Sequence, residues 1–236
     1  MNRNRVGRWA RLAVWTSVLA VGSIGCNPLN IAAFIFARED KVPARYPLSF
    51  KEGPKKDKDE IVVVLLPQIA PGSNNPQFAT ATQDLADRLA KALPEMAKEN
   101  KDKKKVKVVS QTEVGRFKSK NPNWKQMSTG EIGQKLGADF VLEIYLDQLR
   151  LYDPNTKNSI YDGRAEVFVS IYEIGADGGE MKDKYPLSFS YPKTARSVEA
   201  YPSESAFKAL FIENLAAEIA KMHTDHKPSN SIADAR

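Results

Sequence analysis

The sequence predicts an α/β fold: a single two-layer α/β domain with a mixed sheet. Three patterns carry that expectation. Ile61 to Leu66 (IVVVLL) is an unbroken β-branched and aliphatic run, as expected of a strand buried on both faces. Thr80–Asn100 and Ser203–His223 place apolar residues three and four apart, as amphipathic helices do. Residues 140–174 alternate apolar and polar positions on either side of a Pro-Asn turn, as a long hairpin does.

Taken in order, the first strand is expected to stop at Pro67, which cannot donate to a ladder. A loop rich in Pro, Gly, Ser and Asn spans Pro71–Pro76. The first helix carries Leu85, Leu89, Ala92, Leu93 and Met96 on one stripe, with Pro94 expected to kink or shorten it. Lys98–Lys105 is a solvated turn, Val106–Ser110 a second strand, and Thr112–Lys118 a short helix. Ser128-Thr129-Gly130-Glu131 has the spacing of a capping box, with Met127 and Ile132 positioned as its hydrophobic staple. The helix it opens ends at Gly137, a natural left-handed cap.

The hairpin puts Phe140, Leu142, Ile144 and Leu146 on one face and Asp139, Glu143 and Asp147 on the other. It turns at Pro154–Asn158 and returns with Val167, Val169 and Ile171 inward. Tyr185–Tyr191 is a further alternating strand. The last helix carries Phe207, Leu210, Phe211, Leu215, Ile219 and Met222, and is followed by a polar tail. The pentapeptide YPLSF occurs at Tyr46–Phe50 and again at Tyr185–Phe189. Two readings stand: chance likeness of two Pro-containing segments, or a first copy that pairs into the same sheet.

Composition excludes several classes. The chain has 236 residues, 35 Lys+Arg against 29 Asp+Glu, one Cys and two His. A lone thiol makes no internal disulfide, and one Cys with two His does not build a Cys/His zinc module of the usual spacing. Only one apolar stretch is long enough to consider for a membrane, so a polytopic protein is excluded. Arg3, Arg5, Arg8 and Arg11 all precede that stretch. Without them the balance is 31 basic to 29 acidic, and the net positive charge gives no case for nucleic acid.

Those arginines open a secretory pattern: a basic start, an apolar run over Leu12–Gly25, and small residues before Cys26. Ser23-Ile24-Gly25-Cys26 resembles the lipobox of bacterial lipoproteins; Gly25 and Cys26 match it, and Ser23 stands where Leu is usual. The resemblance implies that Cys26 is the lipid-attachment residue and that two or three acyl chains hold the mature protein on a membrane. Asn27 rather than Asp after the cysteine favours the outer membrane, facing the periplasm. The alternative is an uncleaved anchor over Trp9–Ala37, interrupted by Asn27-Pro28. The expected organisation is a signal peptide at 1–25, a lipidated and charged, Pro-containing tether at 26–60, the α/β domain at 61–223, and a disordered tail at 224–236.

Ile132-Gly133-Gln134-Lys135-Leu136-Gly137-Ala138-Asp139-Phe140-Val141-Leu142 resembles the helix-to-strand junction of a group of bacterial envelope domains. These are the TolB amino-terminal domain, the curli secretion lipoprotein CsgG and the penicillin-binding-protein activator LpoB. The resemblance covers roughly Ile61–Met222. It implies a non-enzymatic scaffold or accessory subunit working through protein contacts, with envelope proteins or further copies of itself as partners. A component of an oligomeric secretion apparatus is the alternative.

Chemistry-bearing motifs are few. His223-Thr224-Asp225-His226 is the only imidazole cluster and has spacing that one metal ion could use, although His also suits a helix C-terminus. Asp139, Glu143, Asp147, Glu166 and Glu173 could pair for hydrolysis, as in a tethered hydrolase, but alternation puts them on a solvated hairpin face. No Gly-x-Ser-x-Gly elbow, dinucleotide loop or phosphate loop occurs, so neither an enzyme nor a cofactor is expected. The lysine runs Lys55–Lys58 and Lys101–Lys105 read as solvated loops or contacts to anionic headgroups. Trp124, Tyr145, Tyr152 and Tyr161 are candidates for an aromatic contact patch.

Overall fold

Five strands form one sheet in the order β2-β1-β3-β4-β5. The strands are β1 (Glu60–Ile69), β2 (Lys105–Val108), β3 (Phe140–Tyr152), β4 (Ile160–Gly175) and β5 (Gly178–Ser197). Among the described residues the α-helices are α1 (Ala81–Ala97), α2 (Gln111–Lys120), α3 (Thr129–Lys135) and α4 (Glu204–His223). The computed structural model describes residues 41–50, 58–70, 76–102 and 104–228. Cys26 and the secretory pattern lie outside them. β1 pairs in parallel with β2 and β3, whereas β3–β4 and β4–β5 are antiparallel, so the sheet is mixed as expected.

The apolar run of β1 is buried on both faces because helices cover both. Ile61, Val63 and Leu65 belong to the main core with α1 and α4; Val64 and Leu66 belong to a second cluster with Val114, Phe117 and Ile132 of α2 and α3. The main core takes Leu85, Leu89 and Leu93 from α1 and Phe207, Phe211, Leu215 and Ile219 from α4. Helix α1 runs through Pro94. The expected inward face of the hairpin is buried in the same core: Phe140, Leu142, Ile144 and Leu146 against Val167, Val169 and Ile171.

Pro67 does not end β1, which continues to Ile69. The reason is the length of its neighbour. Val63 accepts from Val109 on the β2 side, and Val62 accepts from Asp139 on the β3 side, so odd residues of β1 face β2 and even ones face β3. The ladder to β2 stops at Val63–Val108. Pro67, an odd residue, turns its missing N–H to the side where no strand continues, and no ladder bond is lost.

The capping box forms as the sequence predicts. Ser128 Oγ accepts from Glu131 N at 3.2 Å, and Ser128 N donates to Glu131 Oε2 at 2.9 Å. Gly137 adopts φ +64°, the left-handed conformation that reverses the chain. Asp139 is buried rather than solvated, a correction to its expected outward position. Its carboxylate accepts from Val62 N at 2.9 Å and pairs with Lys58, clamping the starts of β1 and β3 together. Alternation failed there because α2 and α3 cover that end of the sheet's second face.

The expected tether at 26–60 is in part docked. Tyr46, Leu48 and Phe50 pack into the main core, so the unit that holds the domain begins at Lys41, not Ile61. The first YPLSF copy forms no strand. Its segment is held by Tyr46 N to Met222 O at 2.8 Å and by a two-way bridge between Val42 and His226. The start of the expected disordered tail is likewise ordered. Thr224 is buried, and Asp225 accepts from Ala44 N and Lys101 N, both at 3.0 Å.

Candidate interaction surface

Beyond α2 and α3 no described helix covers the sheet's second face, and cross-strand register arranges its side chains in rows. Tyr145 of β3 stands opposite Phe168 of β4, which stands opposite Pro186 of β5. One row toward α3, Glu143, Ser170 and Lys184 align; beyond that, Tyr172 pairs with Met181. The inward facing of Val167, Val169 and Ile171 forces Phe168 and Tyr172 outward, because successive side chains of a strand alternate. Phe168 is 40% exposed and Met181 53% exposed, the exposed large hydrophobic side chains on this face among the described residues. A shallow depression of about 510 Å³ lies over Tyr145, Phe168, Tyr172 and Met181, with Glu143 and Lys184 at its edge.

Partial burial pushes the Tyr145 and Tyr172 hydroxyls above their ordinary pKa, and the neighbouring Glu143 carboxylate adds to both shifts. Both remain neutral at physiological pH and can donate from rings whose bodies are apolar. Glu143 is itself held by Thr129 Oγ1 at 2.9 Å, which ties this face to the capped helix α3. The arrangement combines apolar area, hydroxyl donors and opposite charges on a rigid sheet, a composition suited to protein contact.

The aromatic candidates do not gather there. Only Tyr145 lies on the face. Tyr161 is buried in a stack with Phe207, at 4.1 Å between ring centroids, and Tyr152 stacks on Tyr161 while donating to Glu204. Trp124 sits near α2 with Lys118 Nζ 4.4 Å over its ring. Burial, followed by the nearby Lys125 charge, lowers the Lys118 pKa. Phe168, Tyr172 and Met181 were the residues missed, although the alternation of β4 already implied two of them.

Of the candidate carboxylates, Glu143, Asp147 and Glu166 share the sheet's second face, with Asp147 opposite Glu166 in the ladder, and the others lie apart. Asp139 is inside; Asp147 accepts from Gln148 N at 2.9 Å; Glu166 accepts from Ser188 Oγ at 2.6 Å; Glu173 meets Lys182 at 3.3 Å. The two histidines separate as well. His223 is buried, with Nε2 2.9 Å from the Tyr185 hydroxyl and Nδ1 2.9 Å from the Tyr46 carbonyl oxygen. A carbonyl only accepts, so Nδ1 carries the hydrogen and Nε2 accepts from Tyr185. Both nitrogens are therefore committed to the core. His226 Nδ1 lies 3.1 Å from the Thr224 carbonyl oxygen.

No family model matches the chain, and no curated protein does. Among solved structures it is similar to the hypothetical protein CT253 from Chlamydia trachomatis, at 15% identity and TM-score 0.42, covering 68% of this chain and 93% of that one. Lipoprotein GNA1162 from Neisseria meningitidis matches at 13% identity and TM-score 0.39, covering 68% and 97%. The LpoB C-terminal domain from Salmonella enterica matches at 16% identity and TM-score 0.30, covering 55% and 82%. No described helix is long and apolar enough to cross a membrane.

Proposed function

We propose that this chain is a lipid-anchored protein of the bacterial cell envelope that acts as a scaffold or accessory subunit, without catalysis, by binding other envelope proteins. The observation that carries the binding role is the exposed row Tyr145–Phe168–Pro186, with Met181 exposed two rows away on the same sheet face. The anchor follows from the basic, apolar, Gly25-Cys26 pattern at the amino terminus. Lipid on Cys26 would hold the domain at the membrane, by this reading the outer membrane on its periplasmic side, and free the sheet face for a partner.

Two measurements on the full-length chain test this. Membrane fractionation of Cys26→Ala should release the protein to the soluble fraction with an altered processed size; unchanged association and size would sink the anchor. Site-specific photocrosslinking from position 168 in the intact envelope should give discrete adducts, and their absence would overturn the binding role.

A further inference from the structure

Helix α2 and the turn that follows it form an uninterrupted cationic segment. Val114–Gly130 carries Arg116, Lys118, Lys120 and Lys125 and no carboxylate. None of these four side chains makes an ion pair among the described residues. The flanking carboxylates are placed elsewhere. Glu113 lies in the first turn of α2, at the opposite end from Lys118 and Lys120, and Glu131 is committed to Ser128 N at 2.9 Å in the capping box.

Trp124 gathers this charge. Its half-buried ring packs against the second core cluster, and the ammonium groups of Lys118 and Lys125 lie 4.4 Å and 6.0 Å from its centroid. Two like charges therefore converge on one indole, and after burial the Lys125 charge is the cause that lowers the Lys118 pKa. An anion beside both ammoniums would offset that repulsion. Lys107 extends the surface onto β2. Val106 packs in the main core, so the exposed Lys107 turns to the sheet face that carries α2, and its ladder partner Val62 packs against the same cluster as Trp124.

We propose that this surface rests on the anionic phospholipid headgroups of the membrane to which the chain is tethered, with Lys118 and Lys125 on headgroup phosphates and Trp124 at headgroup depth. The side chains suit that occupant. Lysine ammoniums are hydrated point charges on flexible stems, which follow mobile headgroups, whereas a fixed carboxylate of a protein partner is better gripped by guanidinium forks. Indole has an apolar body and a polar N–H, the combination that favours a membrane interface. The proposal takes from the anchor reading the presence of a membrane: Lys41, where the domain begins, follows Cys26 by 15 residues, a reach of roughly 50 Å at most. It does not use the Phe168 face, because β1 and β3 separate β2 from β4.

The test is photocrosslinking to lipid from the exposed position 123, beside Trp124, in the full chain reconstituted into vesicles of phosphatidylcholine alone or of phosphatidylcholine with phosphatidylglycerol. Lipid adducts should be at least tenfold more abundant in the anionic vesicles, and K118E/K125E should remove that difference with an unchanged melting curve. K107Q/K120Q, at two exposed side chains, should reduce it as well and decides the matter if K118E/K125E melts lower. Equal adducts in both vesicles, or a difference that survives both variants, would overturn the proposal. So would discrete protein adducts from position 123 in the intact envelope without lipid adducts, since an acidic protein would then be the occupant. Release of Cys26→Ala from membranes with no lipid adduct at position 123 would sink this surface and leave the anchor standing. Lipid adducts at position 123 with Cys26→Ala unchanged in association and size would sink the anchor alone.

Discussion

Tyr46 and Tyr185, the first residues of the two YPLSF copies, stack face to face with ring centroids 4.4 Å apart and 5° between planes. The repeated pentapeptide thus meets itself through its tyrosine side chains. His223 joins the pair by accepting from the Tyr185 hydroxyl and donating to the Tyr46 carbonyl, so one imidazole links the incoming chain, the edge strand and the end of α4. The segment leading toward the proposed anchor is fixed to the domain at this point.

Tyr46→Ala should therefore loosen residues 41–50 without unfolding the sheet. Losing the stacked pair, worth about 1 kcal/mol, and part of the ring's burial should cost about 2 kcal/mol in all. Urea titration gives the total. Hydrogen exchange should show the loss at the amides of Val42 and Tyr46, and a loss spread evenly over β1 and β3 would contradict the local clasp.

Acid should act through His223. Burial pulls its pKa down to about 4 from 6.5, against a smaller opposing effect of the Tyr46 carbonyl. The unfolded chain binds a proton near pH 6.5 and the folded chain resists it until about pH 4, so stability falls as pH drops through that window. The full contribution is present above pH 6.5 and amounts to about 3 kcal/mol. Urea midpoints at several pH values between 7.5 and 4.5 should show the decline. H223Q should flatten it; an equal slope in H223Q would assign the effect to other groups.

The local features were legible in the sequence because their causes are local. Ser128 and Glu131 cap α3 through bonds three residues apart, and Gly137 turns the chain by its own φ. The features that were not legible depend on distant partners. Pro67 is harmless only because β2 ends opposite Val63. Asp139 is buried because α2 and α3 cover that end of the sheet, and Lys58 and Val62 N, far away in sequence, satisfy its carboxylate. Tyr46–Phe50 looks like tether by its prolines and charge, and only distant partners, Phe140 of β3, Tyr185 of β5 and the end of α4, make it core. Phe168 stands between these cases: alternation placed it outward, but the uncovered state of that face depends on where α2 and α3 stop.

Three glycines in neighbouring helices should respond differently to the same added methyl. At Gly130 of α3, a Cβ would meet Gly179 N at 2.2 Å and Gly179 Cα at 2.8 Å, both backbone atoms that do not rotate away. At Gly133 it would meet Ile174 Cδ1 at 2.7 Å, a side-chain end that can shift. At Gly115 of α2 nothing lies within 4 Å. G130A should therefore cost about 3 kcal/mol and G133A about 1–2 kcal/mol, whereas G115A should stabilise by roughly 0.5–1 kcal/mol through helix propensity. Thermal melts of the three variants test the order, and a G130A variant as stable as the parent would refute the close approach of α3 to the β4–β5 turn.

The exposed sheet face makes the opposite kind of prediction, one of function lost at constant stability. Phe168 is 40% exposed and stands opposite Tyr145 and Pro186 in the ladder. Replacing it with Glu removes apolar area from a surface that is already wet, so F168E should change stability by no more than about 0.5 kcal/mol. A partner that covers the row would bury that carboxylate beside Glu143 and Glu166 without a new counter-charge, which should weaken association at least tenfold. M181E should weaken it less, since Met181 lies two rows away and Lys184 and Lys182 are near it in sequence. Crosslinking yield in the intact envelope, read beside the melting curve of each variant, separates the two effects. F168E with full crosslinking yield would exclude this face as the binding surface.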